Sequence, residues 1–189
     1  VAFFPSLPGD AKLLQVFALN RETALPLVDY HENLMRGESP LSVAQRELLA
    51  AYVSGLNQCQ YCHGIHAEVA QAFGVPADLL GNLLHGDAVP EDAGKLRPIL
   101  DYARKLTLQP MRLTQADAQA VFRSGWSERA LHDAIAICAL FNFMNRIVLG
   151  HGLRGDPDYA ALAGARLARE GYAPISERLQ DTSEPPQQE

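Results

Sequence analysis

Cysteine is scarce in this 189-residue chain, with 3 in all, and there is 1 tryptophan. Three cysteines cannot build the disulfide framework that staples a small secreted domain. Any paired thiols therefore read as functional groups in a reducing cytosol, and the chain as cytoplasmic. Runs of basic residues are missing and the net charge is −6, which argues against nucleic acid as a partner. No apolar stretch reads as long and uncharged enough to cross a bilayer. The opening Val1 to Phe4 is too short for a signal-peptide core and is interrupted by Pro5, so no membrane partner is expected. Period-two alternation is absent, which leaves an all-α fold. A hydrophobic content of 48% and this length suffice for a single domain with one sizeable core.

What is present is concentrated between Ser42 and Phe73, where Glu47, Cys59, Cys62 and His66 stand in the spacing E-x11-C-x2-C-x3-H. Ser42 with Gln45 three residues on is a capping-box pattern. The helix it opens is expected to reach about Val53 or Ser54, with Gly55 as a left-handed terminator. Asn57, followed by Gln60, then fits the cap of a second helix that ends before Gly74 and Pro76. At about 100° per residue, Cys59, Cys62 and His66 fall on one narrow face of that helix. Cys59 and Cys62 are one turn apart, close enough for a disulfide. Cys62 and His66 form an i,i+4 pair, and so do Cys59 and His63. Cys59 would be the second helical residue, where unpaired N–H groups and the helix dipole favour a thiolate.

Glu47 has Val43, Ala44, Ala50 and Ala51 as its helical neighbours. A carboxylate on a face of small apolar residues is expected to pack against another helix, and burial would raise its pKa and suit it to proton shuttling. The bland alternative is an exposed Glu paired with Arg46 or another surface cation.

The rest of the chain reads as helices around that pair. Residues 1–40 form a helical arm of the same domain. It starts extended through residue 9, with Phe3, Phe4 and Leu7 apolar. Asp10 then caps a helix burying Leu13, Leu14, Val16 and Phe17, and a second helix runs from Glu22 to Met35 with Pro26 in its first turn. After the motif come a short helix over Ala77 to Leu84 closed by Gly86, one ending at Leu106, one capped by Thr114, and the longest from Ser127 to about Leu149. That last is apolar nearly all round and reads as the buried core helix. A final helix spans Pro157 to Glu170. The core is set at residues 41–172, and residues 173–189, polar and Pro-containing, read as a disordered tail. A faint echo at an offset of 85 pairs Ser42 with Ser127, Asn57 with Asn142 and His66 with His151, as in a degenerate internal repeat. Cys138 reads as a core thiol. Asn142 and Asn145 read as structural or pocket-lining, Tyr61, Ile65 and Val69 as a core stripe, and Gly64 as a point of close helix approach.

The motif S-x-x-x-R-E-L followed by N-x-C-x-Y-C-x-x-x-H stands here as Ser42, Arg46, Glu47, Leu48, Asn57, Cys59, Tyr61, Cys62 and His66. With Leu34 to Ser42, Arg104 to Pro110 and Phe141 to Arg146, it resembles the carboxymuconolactone decarboxylase-like superfamily. Within that group it looks like the alkylhydroperoxidase AhpD type, in its peroxidase-related branch, over roughly residues 5 to 152. One departure is Tyr61, where the best-known pattern has a histidine before the second cysteine. The resemblance implies an AhpD-like helical bundle, a homo-oligomer, and a thiol-dependent peroxidase with no cofactor beyond a redox-active Cys59–Cys62 disulfide. By the same resemblance Cys62 attacks the peroxide, Cys59 resolves the sulfenic acid, His66 takes the thiol proton and Glu47 completes the relay. A dithiol or thioredoxin-like protein would be the reductant. The helix-start argument instead favours Cys59 as the lower-pKa thiol. His63 and Tyr61 are secondary candidates. Other readings are a zinc site of Cys59, Cys62, His66 and Glu47, a decarboxylase-type enzyme, and a non-enzymatic redox-sensing or scaffold protein.

Overall fold

The structure, a computed structural model, describes residues 2–85 and 91–181. Gly86 and residues 182–189 of the expected tail lie outside the described residues. Among those described there are ten α-helices and no strand. In chain order the helices are α1 (Leu13–Ala18), α2 (Arg21–Arg36), α3 (Val43–Leu56), α4 (Gln60–Ala72), α5 (Ala77–His85), α6 (Arg97–Leu108), α7 (Gln115–Arg123), α8 (Glu128–Gly150), α9 (Pro157–Glu170) and α10 (Ala173–Asp181). The all-α bundle is as the sequence predicts.

The helix buried on every side is α3, not α8. Every residue of α3 from Arg46 to Ser54 is buried, with α4, α5, α6, α8 and α2 packed around it. Ala50 and Ala51 let those neighbours close in, and Leu49, Tyr52 and Val53 are fully enclosed. α8 has the length and composition to cross a bilayer, contrary to the expectation that no stretch does, and half of that window is buried within the fold. Its Ile137, Phe141 and Val148 face the core, while Phe143 and Leu149 face outward.

The capping box of α3 forms as expected. Ser42 Oγ accepts from the Gln45 N–H, and Gln45 Oε1 accepts from the Ser42 N–H. Arg46 is not a partner of Glu47. Its guanidinium turns back and donates to the carbonyls of Leu34 and Gly37, satisfying the end of α2. Pro26 sits in the second turn of α2, inside the helix, rather than in its first turn. α1 is capped at Lys12, where the Gln15 carboxamide closes the turn, so Asp10 does not cap it.

The corner between α3 and α4 departs from expectation in a way that matters chemically. Gly55 stays helical, and it is close packing that needs the glycine: a Cβ there would lie 2.6 Å from Leu84 Cδ1. Gln58 takes the left-handed conformation instead, at φ 57°. Its N–H bonds the Gly55 carbonyl and the Cys59 N–H bonds the Ser54 carbonyl, which is a Schellman closure. Asn57 is therefore the C-terminal cap of α3, and Cys59 is the N-cap of α4.

Close helix approach at Gly64 is observed: a Cβ there would stand 3.1 Å from Ala160 Cβ on α9, and one at Gly164 would stand 2.4 Å from Glu68 Cβ. Small residues thus bring α9 against α4. The echo at offset 85 has a structural counterpart in Ser42 and Ser127, which both cap helices, and in Asn57, which donates to Asn142 at 3.1 Å. α8 runs straight where the first copy turns its corner.

The chain continues past the expected last helix. Residues 173–181 form α10, with Leu179 fully buried, in place of a disordered segment. The cause is a remote cap: Glu32 on α2 accepts from the N–H groups of Tyr172 and Ala173 at 2.6 and 3.1 Å. The N-terminal arm packs on its own chain: Phe4 stacks on His151 at 4.6 Å between ring centroids, the Phe3 N–H donates to the His151 carbonyl, and Leu7 packs against the cluster around Val16 and Tyr61.

Candidate active site

The corner delivers Cys59 and Cys62 as free thiols with their sulfurs 3.2 Å apart. Cys59 uses its own N–H to close α3 and its carbonyl to accept from the His63 N–H, opening α4. Its sulfur sits where the first N–H groups of α4 have no helical partner. The Cys62 thiol, then the backbone N–H groups of Cys62 and Tyr61 and the Asn145 amide, outweigh burial and bring Cys59 down to about 7. The shared hydrogen bond with Cys59 and then burial push Cys62 well above the ordinary thiol range.

Behind the dithiol stands Glu47, with no solvent exposure. Glu47 Oε2 is 2.7 Å from His66 Nδ1, and Oε1 accepts from Arg36 at 2.5 Å and from the Tyr172 hydroxyl at 3.1 Å. Burial alone would raise this carboxyl, as its sequence neighbourhood suggests. His66 and Arg36 more than reverse that effect, so Glu47 is held below the ordinary carboxylate range. It is a fixed anion that orients His66, rather than a protonated acid. Burial and the facing carboxylate push Tyr172 well above its usual range, so it remains a hydrogen-bond donor. Arg36 also lies over the Tyr172 ring, 5.0 Å from its centroid.

Cys62 and His66 open onto a cavity of about 130 Å³, lined mainly by apolar groups of α1, α4, α8, α9 and α10. Phe141 meets the His66 ring edge-on at 4.5 Å. Cys59 does not reach the cavity and is fully buried. Access and thiolate character are therefore divided between the two sulfurs.

Of the secondary candidates, His63 turns away from Cys59. Its Nδ1 is 3.0 Å from the Ala51 carbonyl, so it ties α4 to α3. Tyr61 lines the cavity, accepts from the Leu13 N–H at 3.1 Å and bonds Tyr159 at 3.3 Å, consistent with a packing role. Cys138 is fully buried beside Thr107, and burial pushes its thiol up. Asn145 donates to Ser54 and accepts from Asn57, a buried amide network that backs Cys59 without lining the cavity. Among the described residues no group of three or more His, Cys, Asp or Glu is placed to hold a metal ion, which counts against the zinc reading. Sequence reasoning missed Arg36, Tyr172 and His31. Arg36 lies within the Leu34 to Ser42 stretch already singled out, so it was within reach, whereas nothing local marks Tyr172.

The carboxymuconolactone decarboxylase family model matches residues 22–105. A solved structure of an uncharacterized peroxidase-related protein from Silicibacter sp. TM1040 is similar at 27% identity and TM-score 0.71, covering 78% of each chain. A second, an uncharacterized peroxidase-related protein from Ralstonia eutropha JMP134 described as an alkylhydroperoxidase AhpD core, has 25% identity and TM-score 0.68, over 78% of this chain and 77% of that one. Sestrin-3 of Mus musculus is 23% identical over 158 residues, 82% of this chain. The chain spans only 31% of that relative's length. Residues 22–105 are thus similar to the carboxymuconolactone decarboxylase family, and the helical fold is similar to that of AhpD-like, peroxidase-related proteins.

Proposed function

We propose that this protein is a thiol-dependent peroxidase whose working group is the Cys59–Cys62 dithiol. The observation that carries the reading is the pair of sulfurs 3.2 Å apart, one of them opening onto an apolar cavity beside a His66–Glu47 pair. Cys62 gives its proton to His66, whose other ring nitrogen is held by Glu47, and the thiolate attacks a peroxide oxygen. The S–O bond forms as the O–O bond breaks. The sulfur is oxidised to a sulfenic acid, and the leaving oxygen takes the proton back from His66. Cys59, brought down to about 7, then attacks the Cys62 sulfur as a thiolate and expels hydroxide, which takes up from solvent the proton that Cys59 lost and leaves as water. An external dithiol reduces the resulting disulfide. The enclosed position of Cys59 favours Cys62 as the attacking sulfur, and the lowered pKa of Cys59 suits it to resolution.

Peroxide consumption with dithiothreitol as reductant tests the activity. In Cys59→Ser a sulfenic acid should be trappable on Cys62, and Cys62→Ser should consume no peroxide. A sulfenic acid on Cys59 in Cys62→Ser would reverse the order. Failure of both variants and the wild type to outpace free cysteine would end the peroxidase reading. A decarboxylase-type reaction is the second reading, favoured by the family match itself. It has no use for the adjacent thiols, and turnover by a Cys59→Ser, Cys62→Ser double variant would favour it.

A further inference from the structure

His31 lies on α2, outside the motif, and the relay above does not use it. It is 6% exposed and lines the same cavity as Cys62 and His66. Its Nδ1 is 2.7 Å from the Leu27 carbonyl oxygen. A carbonyl only accepts, so the proton is on Nδ1 and Nε2 carries a lone pair. The Leu27 contact engages Nδ1 and leaves Nε2 on the far side of the ring. The ring is held in place from two sides, edge-on to Phe141 at 6.2 Å and against Tyr172 at 5.5 Å. Phe141 also touches His66, so the two imidazoles flank one ring at the head of the cavity.

A fixed acceptor on a ring that lines an apolar cavity, with its other nitrogen already engaged, suits a guest that donates a hydrogen bond. Burial, above all, brings His31 down to about 4, which keeps its lone pair free across the neutral range. Of the other charged groups nearby, Arg166 lines the cavity from an exposed position, and the rest are paired. Glu47 and Arg36 bind each other, and Glu170 at the mouth binds Arg169 and Arg178.

We propose that His31 is a substrate-positioning residue: its Nε2 accepts the O–H of an alkyl or aryl hydroperoxide in the cavity and sets the hydroxyl-bearing oxygen toward Cys62. The inference rests on the peroxidase reading. In the step itself the Cys62 thiolate forms the S–O bond to that oxygen, and the O–O electron pair leaves on the alkoxide. His66 supplies the alkoxide with a proton. The hydroperoxide proton stays on the oxygen and becomes the sulfenic O–H, so no proton passes through His31. Its part is to select the terminal oxygen over the substituted one and to favour a hydroperoxide over a dialkyl peroxide, which has no proton to give.

Steady-state kinetics with tert-butyl hydroperoxide test this in His31→Phe, which keeps the ring and removes the acceptor, and His31→Gln, which keeps an acceptor near the Nε2 position. Loss of one hydrogen bond made alike in ground and transition states should raise KM about tenfold in His31→Phe with kcat nearly unchanged. His31→Gln should recover most of that, and alkylation of Cys62 by iodoacetamide should not change in either. An unaltered KM in His31→Phe, equal losses in both variants, or a parallel fall in alkylation would overturn the proposal. A second measurement uses the wild type and needs neither turnover nor a variant. The ¹⁵N resonance of His31 Nε2 should shift on adding tert-butanol, which carries an O–H, and stay in place with tert-butyl methyl ether. Equal responses to the two would also overturn it. If the wild type consumes no peroxide, the peroxidase reading fails, and the resonance alone decides whether His31 is an acceptor for cavity guests.

Discussion

Replacing Glu47 by Gln keeps the size and one acceptor of the side chain and removes its charge. Arg36 and Tyr172 share Oε1, so the Gln carbonyl takes that position and its NH₂ faces His66. Two donors then oppose each other unless His66 moves its proton to Nε2 and offers Nδ1 as the acceptor. In that tautomer the cavity-side nitrogen has no lone pair with which to take the Cys62 proton. Loss of a general base costs about 10²–10⁴ in rate, so peroxide consumption should fall at least about a hundredfold. Removing one side of a buried ion pair costs about 3–5 kcal/mol. The Arg36 side chain is 13% exposed, so water reaches it and the lower figure applies. At roughly 2–4 °C per kcal/mol for a chain of this size, about 3 kcal/mol lowers Tm by roughly 6–12 °C. Adding Arg36→Met to Glu47→Gln should recover part of the loss, because the uncompensated cation is gone. Glu47 has a lowered folded pKa, so its stabilisation is complete above the ordinary value of 4.5 and is lost as pH falls through the folded value. The wild type and Glu47→Gln should therefore converge in acid. Thermal melts by circular dichroism from neutral pH downward read all of this. A Glu47→Gln protein that melts within about 1 °C of the wild type at neutral pH, or a double variant as unstable as the two losses added, would refute the reasoning.

Thiolate absorbance in the reduced protein should show one thiol titrating near pH 7, with the second ionising far above it, because Cys59 is brought down to about 7 and Cys62 is pushed up; two ordinary thiol titrations would refute that division. Cys138 should resist a thiol reagent until denaturant is added, since it is fully buried and its thiol is pushed up by burial; modification of a third thiol in the folded protein would count against the packing of α8. Gln58→Gly should stabilise the fold by about 1 kcal/mol, because a non-glycine residue holds a left-handed position at φ 57°; an unchanged denaturant midpoint would mean that the unfolded-state entropy of glycine offsets the relief.

What was legible in the sequence was local. The Ser42–Gln45 box, the Cys59–Cys62–His66 face, the glycine stop at Gly74 and the core position of Cys138 each follow from residues a few places apart. Glu47 could be placed in the interior because its helical neighbours are small and apolar. Its electrostatic state could not be deduced, because Arg36 arrives from α2 and Tyr172 from the approach to α10. The tail misled for the same reason. Residues 173–181 have no strong helix signal, and the cap that starts their helix, Glu32, is about 140 residues upstream. The interior helix was misassigned because hydrophobicity favoured α8, whereas enclosure depends on how many neighbours surround a helix. α3, with Arg46 and Glu47 in it, is central because those two charges find carbonyl, guanidinium, imidazole and phenol partners on other elements.

The two sulfurs also depend on different parts of the molecule, and this separates their chemistry. The low pKa of Cys59 is built from the corner itself: a hydrogen bond from the neighbouring thiol, two N–H groups at the start of α4 and the Asn145 amide. None of these involves His66 or Glu47. The ionisation of Cys62, in contrast, has to be driven by a base, because its environment favours the thiol. His66→Gln and Glu47→Gln should therefore leave the titration near pH 7 in place while slowing the reaction with peroxide. Cys62→Ala should move the Cys59 titration upward, because it removes the largest of the groups that hold it down. A titration that disappears in His66→Gln would place the thiolate under imidazole control and make the helix corner incidental to it. The left-handed Gln58, the Schellman closure and the N-cap position of Cys59 predict the opposite, since they set the sulfur against the open end of α4 before any side chain on another helix comes near it.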